Sequence, residues 1–263
     1  MSAKDKEEDR QFVTALARGL SILECFSAES GELGTAEIAR RLDLPQPTIW
    51  RLCHTLLELG YLEQSAATSK LRPGLRALSL GYAALGGLPI ADLALPAMEE
   101  LARRFEGAVS LSARQGGEMV YLQRCQGSAI IFTQLRVGSR LGISRSVSGW
   151  AYLAALSEAQ RKALIAELKK DDPRSWRTIE PRLQQSLADF PKLGFIKQKG
   201  LIHPEINSAA VPLKLVDRED PLTLSAGGIA SRFDDAKLAE LGAALAALAR
   251  RLSSAARARQ VDP

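Results

Sequence analysis

Residues 35–72, TAEIARRLDLPQPTIWRLCHTLLELGYLEQSAATSKLR, constrain the fold more than any other stretch of this chain. Thr35 can cap a short helix, because its hydroxyl accepts a hydrogen bond from an otherwise unpaired backbone N–H. Ala36, Ile38, Ala39 and Leu42 then supply one apolar stripe. Asp43-Leu44-Pro45 ends that helix, since the residue before a proline is pushed out of the helical region. A second helix begins near Gln46 or Pro47, where the missing proline N–H costs nothing. Ile49, Leu52, Leu56 and Leu59 recur at helical spacing and are expected to face a core. Gln46, Pro47, Thr48, Trp50, Arg51, His54 and Thr55 are left for the other faces. Gly60 closes the helix. Tyr61-Leu62-Glu63 and Lys70-Leu71-Arg72 read as short strands around the polar turn Ala67-Thr68-Ser69.

Two helices about a tight turn, then a hairpin with cations on its return strand, is the order of a winged helix-turn-helix. The second helix of that unit lies in a DNA major groove. An ordinary helical hairpin shares only the first half of the pattern. Base reading falls to the start of the second helix, to Gln46, Thr48 and Arg51. Arg51 suits guanine O6 and N7, and Gln46 suits adenine. Thr35, Arg40 and Arg41 suit phosphates, and Lys70 and Arg72 allow the wing to grip the backbone. Bulk charge does not make this argument. Residues 1–88 carry 10 Lys/Arg against 11 Asp/Glu, so the chain's net +5 comes from the remainder. The local placement of cations is what favours DNA.

Several function classes drop out. No apolar run approaches a membrane span, because Asp92, Glu99 and Glu100 interrupt the richest region. The opening MSAKDKEEDRQ lacks the apolar core of a signal peptide, so a cytoplasmic protein is expected. Cys25, Cys53 and Cys125 have no metal-ligand spacing, and His54 and His203 are the only histidines. No metal and no cofactor are expected. The rival class is a hydrolase using the serine-rich loop. Gly142-Ile143-Ser144-Arg145-Ser146 fails the nucleophile-elbow pattern at its last position. A relay would have to join His203 to a neighbour such as Glu205, and residues so close along a strand rarely converge. There is no phosphate-binding or dinucleotide fingerprint.

Residues 1–11 read as a disordered tail, 12–74 as the winged helix-turn-helix, 75–88 as a linker helix and 89–263 as a second domain. Phe12–Phe26 and Leu75–Leu85 are amphipathic, and the apolar face of the second suggests a dimer contact. Beyond Ile90 the pattern gives a helix to Phe105 and strands at 108–113, 119–124 and 130–137. Helices follow at 147–156, 158–169 and 181–192, then strands at 195–199, 208–216 and 222–229, and a closing helix at 234–258. That order describes an α+β domain with an antiparallel sheet. A pocket for a small acid needs hydroxyls, backbone N–H groups or a cation in an apolar lining. Gly138–Gly149 supplies Ser139, Arg140, Ser144, Arg145, Ser146 and Ser148. It leads into a helix at about Val147, whose first N–H groups suit a carboxylate.

FVTALARGLSILECF, TAEIARRLDLPQPTIWRLCHTLLELGYL, RVGSRLGISRSVSGWAYLAAL, INSAAVPL and LTLSAGG occur in that order. Together they resemble the IclR family of bacterial transcription regulators, from Phe12 to Leu252. The resemblance implies an N-terminal winged helix-turn-helix, a linker helix and a C-terminal GAF-like domain binding a small effector. It also implies homodimers, in some cases dimers of dimers, on double-stranded operator DNA. Carried over residue by residue, it implies effector-lining positions at Ile130, Thr133, Leu141, Val147, Ser148, Ser208 and Ser225. The sequence departs from the family pattern at Trp50, in GISRSVSG and at Gly227. A small organic acid is the expected effector.

Overall fold

The computed structural model describes residues 11–27, 30–128 and 135–261, the last three as backbone only. Chain contacts separate it into two compact units that divide after Gly87. Most of the expected tail, and Ile130 and Thr133, lie outside the described residues.

The first unit runs α1 (Thr14–Glu24), α2 (Thr35–Leu42), α3 (Gln46–Glu58), β1 (Leu62–Gln64), β2 (Leu71–Pro73) and α4 (Leu75–Gly86). Its core is Ile22, Leu33, Ile38, Ile49, Cys53, Leu62 and Leu71. Burial pushes the Cys53 thiol up to about 11, so it packs as a neutral apolar group. Asp43 sits in the left-handed region (φ 52, ψ 45) and turns the chain from α2 into α3. The helix therefore breaks two residues before Pro45. Leu33 joins the wing by reciprocal N–H···O bonds of 2.9 Å with Leu71, which turns a two-stranded hairpin into a three-stranded edge. Two expectations change. Thr35 does not cap α2: Gly34 stands at the cap, its carbonyl accepts from Glu37 and Ile38, and no side chain contributes. Leu59 is 46% exposed rather than buried. The helix ends at Glu58, so the periodicity that aims Leu52 and Leu56 at the core no longer applies to it.

The second unit runs α5 (Pro89–Phe105), β3 (Ala108–Gln115), β4 (Glu118–Gln126), β5 (Arg140–Gly142), α6 (Val147–Ala155), α7 (Glu158–Asp171), α8 (Pro173–Leu193), β6 (Ile196–Lys199), β7 (Ile206–Leu213), β8 (Leu222–Ile229) and α9 (Asp235–Val261). All strand pairs are antiparallel, in the order β5-β4-β3-β8-β7-β6. Strand alternation sends Val109, Leu111, Ala209, Val211, Leu224 and Ala226 to one face, where α5 and α9 cover them. The opposite face carries Met119, Ala210 and Ile196 against a second cluster built on Trp150, Tyr152, Leu153 and Leu183.

Two elements differ most from the sequence reading. α8 starts at Pro173, not at Pro181. The Asp172 carboxylate accepts the Ser175 N–H at 3.2 Å, Pro173 fits the first turn, and Trp176, Ile179, Leu183 and Ser186 form one buried stripe. Pro181 is exposed and removes a helical hydrogen bond, a cost of about 3 kcal/mol that the buried stripe offsets. The strand expected at 130–137 lies mostly outside the described residues, and 135–137 are not a strand. Among the described residues β5 stands at the edge of the sheet, pairing Leu141 with Met119. Among the described residues no single helix is long and apolar enough to cross a membrane.

Candidate functional site

α3 exposes Gln46, Pro47, Trp50, Arg51, His54 and Thr55, while Ile49 and Cys53 are buried and Thr48 is half-buried. A wedge of polar and aromatic side chains thus points away from the core along one helix. Arg40 and Lys70 are exposed, and neither makes an ion pair among the described residues. Arg72 bonds Glu63 across the wing at 3.2 Å. That pair is exposed, so separating it costs little. Arg41 differs from its neighbour. Its guanidinium donates to the Cys25 carbonyl at 2.9 Å, to Ser30 Oγ at 3.2 Å and to Glu37 at 2.7 Å. It ties α2 to the end of α1. At the wing tip, the Thr68 hydroxyl donates to Glu32 at 2.6 Å and is the main reason that carboxyl stays below its ordinary range.

The second unit contains a small cavity of ≈ 50 Å³, partly open to solvent. Its position follows from strand register. Arg124 on β4 pairs with Ser110 on β3, and Ser110 pairs with Ser225 on β8. Directly opposed residues share a face, so these three side chains form a polar row across the sheet. Ser208 on β7 and Val147 and Ser148 at the start of α6 complete the polar side, with Ala108, Leu135, Ile202 and Ile206 supplying apolar wall. Arg124 Nη1 donates to Ser110 Oγ at 3.1 Å, and its guanidinium lies 5.8 Å from the Tyr121 ring centre. Burial is the largest influence on both groups. It pushes the Tyr121 phenol up, partly offset by Arg124 and Ser110, and it pulls the Arg124 guanidinium down. A desolvated cation among hydroxyls is the arrangement that recognises a small anion.

Val147, Ser148, Ser208 and Ser225 thus converge on one cavity. Leu141 does not line it: with Arg140, Arg145 and Arg182 it borders a separate surface groove, because β5 pairs only with the outer end of β4. Most of the donors between Gly138 and Gly149 serve local structure. Ser139 Oγ accepts the Arg136 N–H, Arg140 bonds Glu118 and Gln115, and Arg145 bonds Asp172. Ser146 Oγ accepts the Gly149 N–H as the cap of α6. Asn207 is held by the Gly200 N–H and the Phe233 carbonyl. His203 Nδ1 accepts the backbone N–H of Glu205 at 3.3 Å. Sequence reasoning missed Arg124, Tyr121 and Ser110. The reason lies in β4, where the partner of β3 jumps from Tyr121 to Gln123 and Leu122 is unpaired. That bulge reverses the alternation and puts Tyr121 and Arg124, three residues apart, on the same face.

Comparison with known proteins decides the family. Residues 82–254 match the bacterial transcriptional regulator IclR C-terminal domain, and residues 15–66 match the IclR helix-turn-helix domain. The chain belongs to the IclR family. It is a DNA-binding transcription regulator, not an enzyme. Among solved structures, an IclR family transcriptional regulator from Brucella abortus is 38% identical, with TM-score 0.84 and 97% of each chain covered. An IclR homologue from Microbacterium hydrocarbonoxydans, complexed with 4-hydroxybenzoate, is 25% identical with TM-score 0.75, covering 93% of this chain and 100% of that one. The HTH-type transcriptional regulator TsaQ1/TsaQ2 of Comamonas testosteroni is 28% identical over 225 residues, 85% of this chain and 81% of its own.

Proposed function

We propose that this IclR regulator reads operator DNA with α3 and the wing, and that a small organic carboxylate in the Arg124 cavity controls that binding. The observation that carries the effector half is the cross-strand row Arg124–Ser110–Ser225, closed by Ser208 and by Ser148 at the start of α6. The apolar wall beside that row suits the hydrocarbon part of the ligand. The homologue that holds 4-hydroxybenzoate supports the same class, a carboxylate on an apolar body. A ligand shifts operator affinity only by as much as it prefers one state of the protein. The deciding experiment is calorimetry with a panel of aromatic and aliphatic carboxylates and their neutral amides, followed by operator titration with and without the tightest binder. If amides bind as well as acids, or no acid binds, the reading fails.

On the DNA side, Gln46, Thr48 and Arg51 read bases in this proposal. Thr35, Arg40, Lys70 and Arg72 are assigned to phosphates, and Arg41 less so because of its contacts to α1. Arg51→Ala is expected to cost about 1–3 kcal/mol and relax preference at one base pair. Lys70→Ala or Arg72→Ala is expected to weaken all sequences alike and flatten the salt dependence by about one phosphate. Footprint titrations at several salt concentrations check both. An unchanged preference for Arg51→Ala would remove α3 from the groove.

A homodimer completes the proposal. No residue of α4 is buried, and Leu75, Leu78 and Tyr82 are 76%, 59% and 72% exposed on one side of it. Val13, at the cap of α1, and Leu16 and Leu20 on it form a second exposed apolar stripe. Surfaces of this kind mark an interface with another copy. Sedimentation at micromolar concentration is expected to show a dimer or a pair of dimers, and Leu78→Glu with Tyr82→Glu to shift it towards monomer. A monomeric wild type would refute the assignment.

A further inference from the structure

Trp50 is the one large apolar side chain that α3 itself presents to solvent, 60% exposed among otherwise polar neighbours. Its indole lies flat against the His54 ring, with centroids 5.5 Å apart and planes within 3°. Residues four apart stack along one side of a helix, so Gln46, Trp50 and His54 form a row beside the row of Pro47, Arg51 and Thr55. Folding gains little from an indole left this open, since its surface stays in water. The stack with His54 does something else: it removes rotamer freedom and holds an aromatic plate ready beside Arg51, which lowers the cost of ordering it on binding.

We propose that Trp50 reads a thymine, packing its indole on the C5-methyl group next to the base pair contacted by Arg51, and that His54 is the positioning residue that holds the plate. The thymine methyl is the apolar feature of the major groove, and every other base edge there offers hydrogen-bonding atoms that an indole face does not satisfy. Arg51 is one residue further along and about 100° round the helix, so the two side chains fall on neighbouring base pairs rather than the same one. The reading predicts a specificity element that carries no hydrogen bond. The inference rests on α3 being the base-reading helix.

The test uses full-length protein and an operator selected from random duplexes. Each thymine of that operator is replaced singly by deoxyuridine, which removes the methyl and leaves the base edge otherwise unchanged. One position is expected to bind wild type about fourfold more weakly, the worth of one buried methyl. Trp50→Gln is expected to show no thymine preference at that position and to keep the preference set by Arg51. His54→Ala is expected to reduce discrimination at that thymine alone. The proposal is overturned if no deoxyuridine weakens wild type, or if the effect persists in Trp50→Gln. Arg51→Ala in the same assay separates the two failures: if it leaves base preference unchanged, the placement of α3 is at fault, whereas relaxed preference with no methyl effect sinks only the role of Trp50. Thermal melts of Trp50→Gln matching wild type exclude a folding defect.

Discussion

Arg124→Met is expected to weaken carboxylate binding by at least about 2 kcal/mol, thirtyfold or more in Kd, while leaving the fold intact. The guanidinium is charged at any working pH even though burial pulls it down. Among the described residues that line the cavity, it supplies the only full positive charge. A carboxylate entering such a site loses its hydration, and a desolvated anion without a cation is strongly disfavoured. Methionine fills similar space with no charge, so the loss falls on the ligand's anion. The apo protein gains as well as loses: the contacts of the guanidinium go, the hydrogen bond to Ser110 among them, but so does the cost of desolvating a cation. Its unfolding midpoint is therefore expected to stay close to wild type. Calorimetry with a bound acid and its primary amide makes the comparison sharp, because wild type is expected to prefer the acid and Arg124→Met to prefer neither. An unchanged acid affinity in the variant would move the anion site elsewhere.

The sequence carries the helix-turn-helix plainly, because Asp43, Pro45 and Gly60 punctuate it and Ile38, Ile49 and Leu71 mark its core at the right spacings. Gly60 takes φ +73, the left-handed turn that lets α3 stop and the wing begin. The cavity is half legible. Val147, Ser148, Ser208 and Ser225 follow from resemblance, and they do line one space. Arg124 does not follow from any period, since one unpaired residue at Leu122 reverses the strand's faces. The donor-rich run from Ser139 to Ser146 misleads in the opposite direction. Its side chains look available in sequence but are used to cap α6, bridge β4 to β5 and anchor the start of α8. Composition counts donors, and only geometry shows which already have partners. Pro181 shows the same limit for helices: a local breaker is overruled when the buried stripe of Trp176, Ile179 and Leu183 runs straight past it.

Gly149→Ala is expected to destabilise the second unit by more than about 3 kcal/mol and to abolish ligand binding with it. A Cβ at Gly149 would stand 2.3 Å from the Ile143 carbonyl oxygen, 2.5 Å from its Cα and 2.7 Å from its carbonyl carbon. These are backbone atoms, so no rotamer change relieves the overlap. The turn at Ile143–Arg145 must instead lift off the first turn of α6. Four contacts depend on their closeness: Gly149 N–H to Ser146 Oγ at 3.1 Å, Ser146 Oγ to the Gly142 carbonyl at 3.1 Å, Trp150 Nε1 to the Ser144 carbonyl at 2.9 Å, and the burial of Ile143 itself. Trp150 is fully buried at the centre of the second cluster, so displacing it disturbs the packing of α6 on the sheet. Ser148 lies between the two displaced residues and would leave the cavity wall. Gly19→Ala in α1 has open space around the added methyl and is the matched control, expected to gain up to about 1 kcal/mol from helix propensity. Denaturant unfolding followed by tryptophan fluorescence reports Trp150 and Trp176 in this unit directly. A Gly149→Ala protein that unfolds at the wild-type midpoint and still binds ligand would mean the turn and helix are not locked together as these distances require.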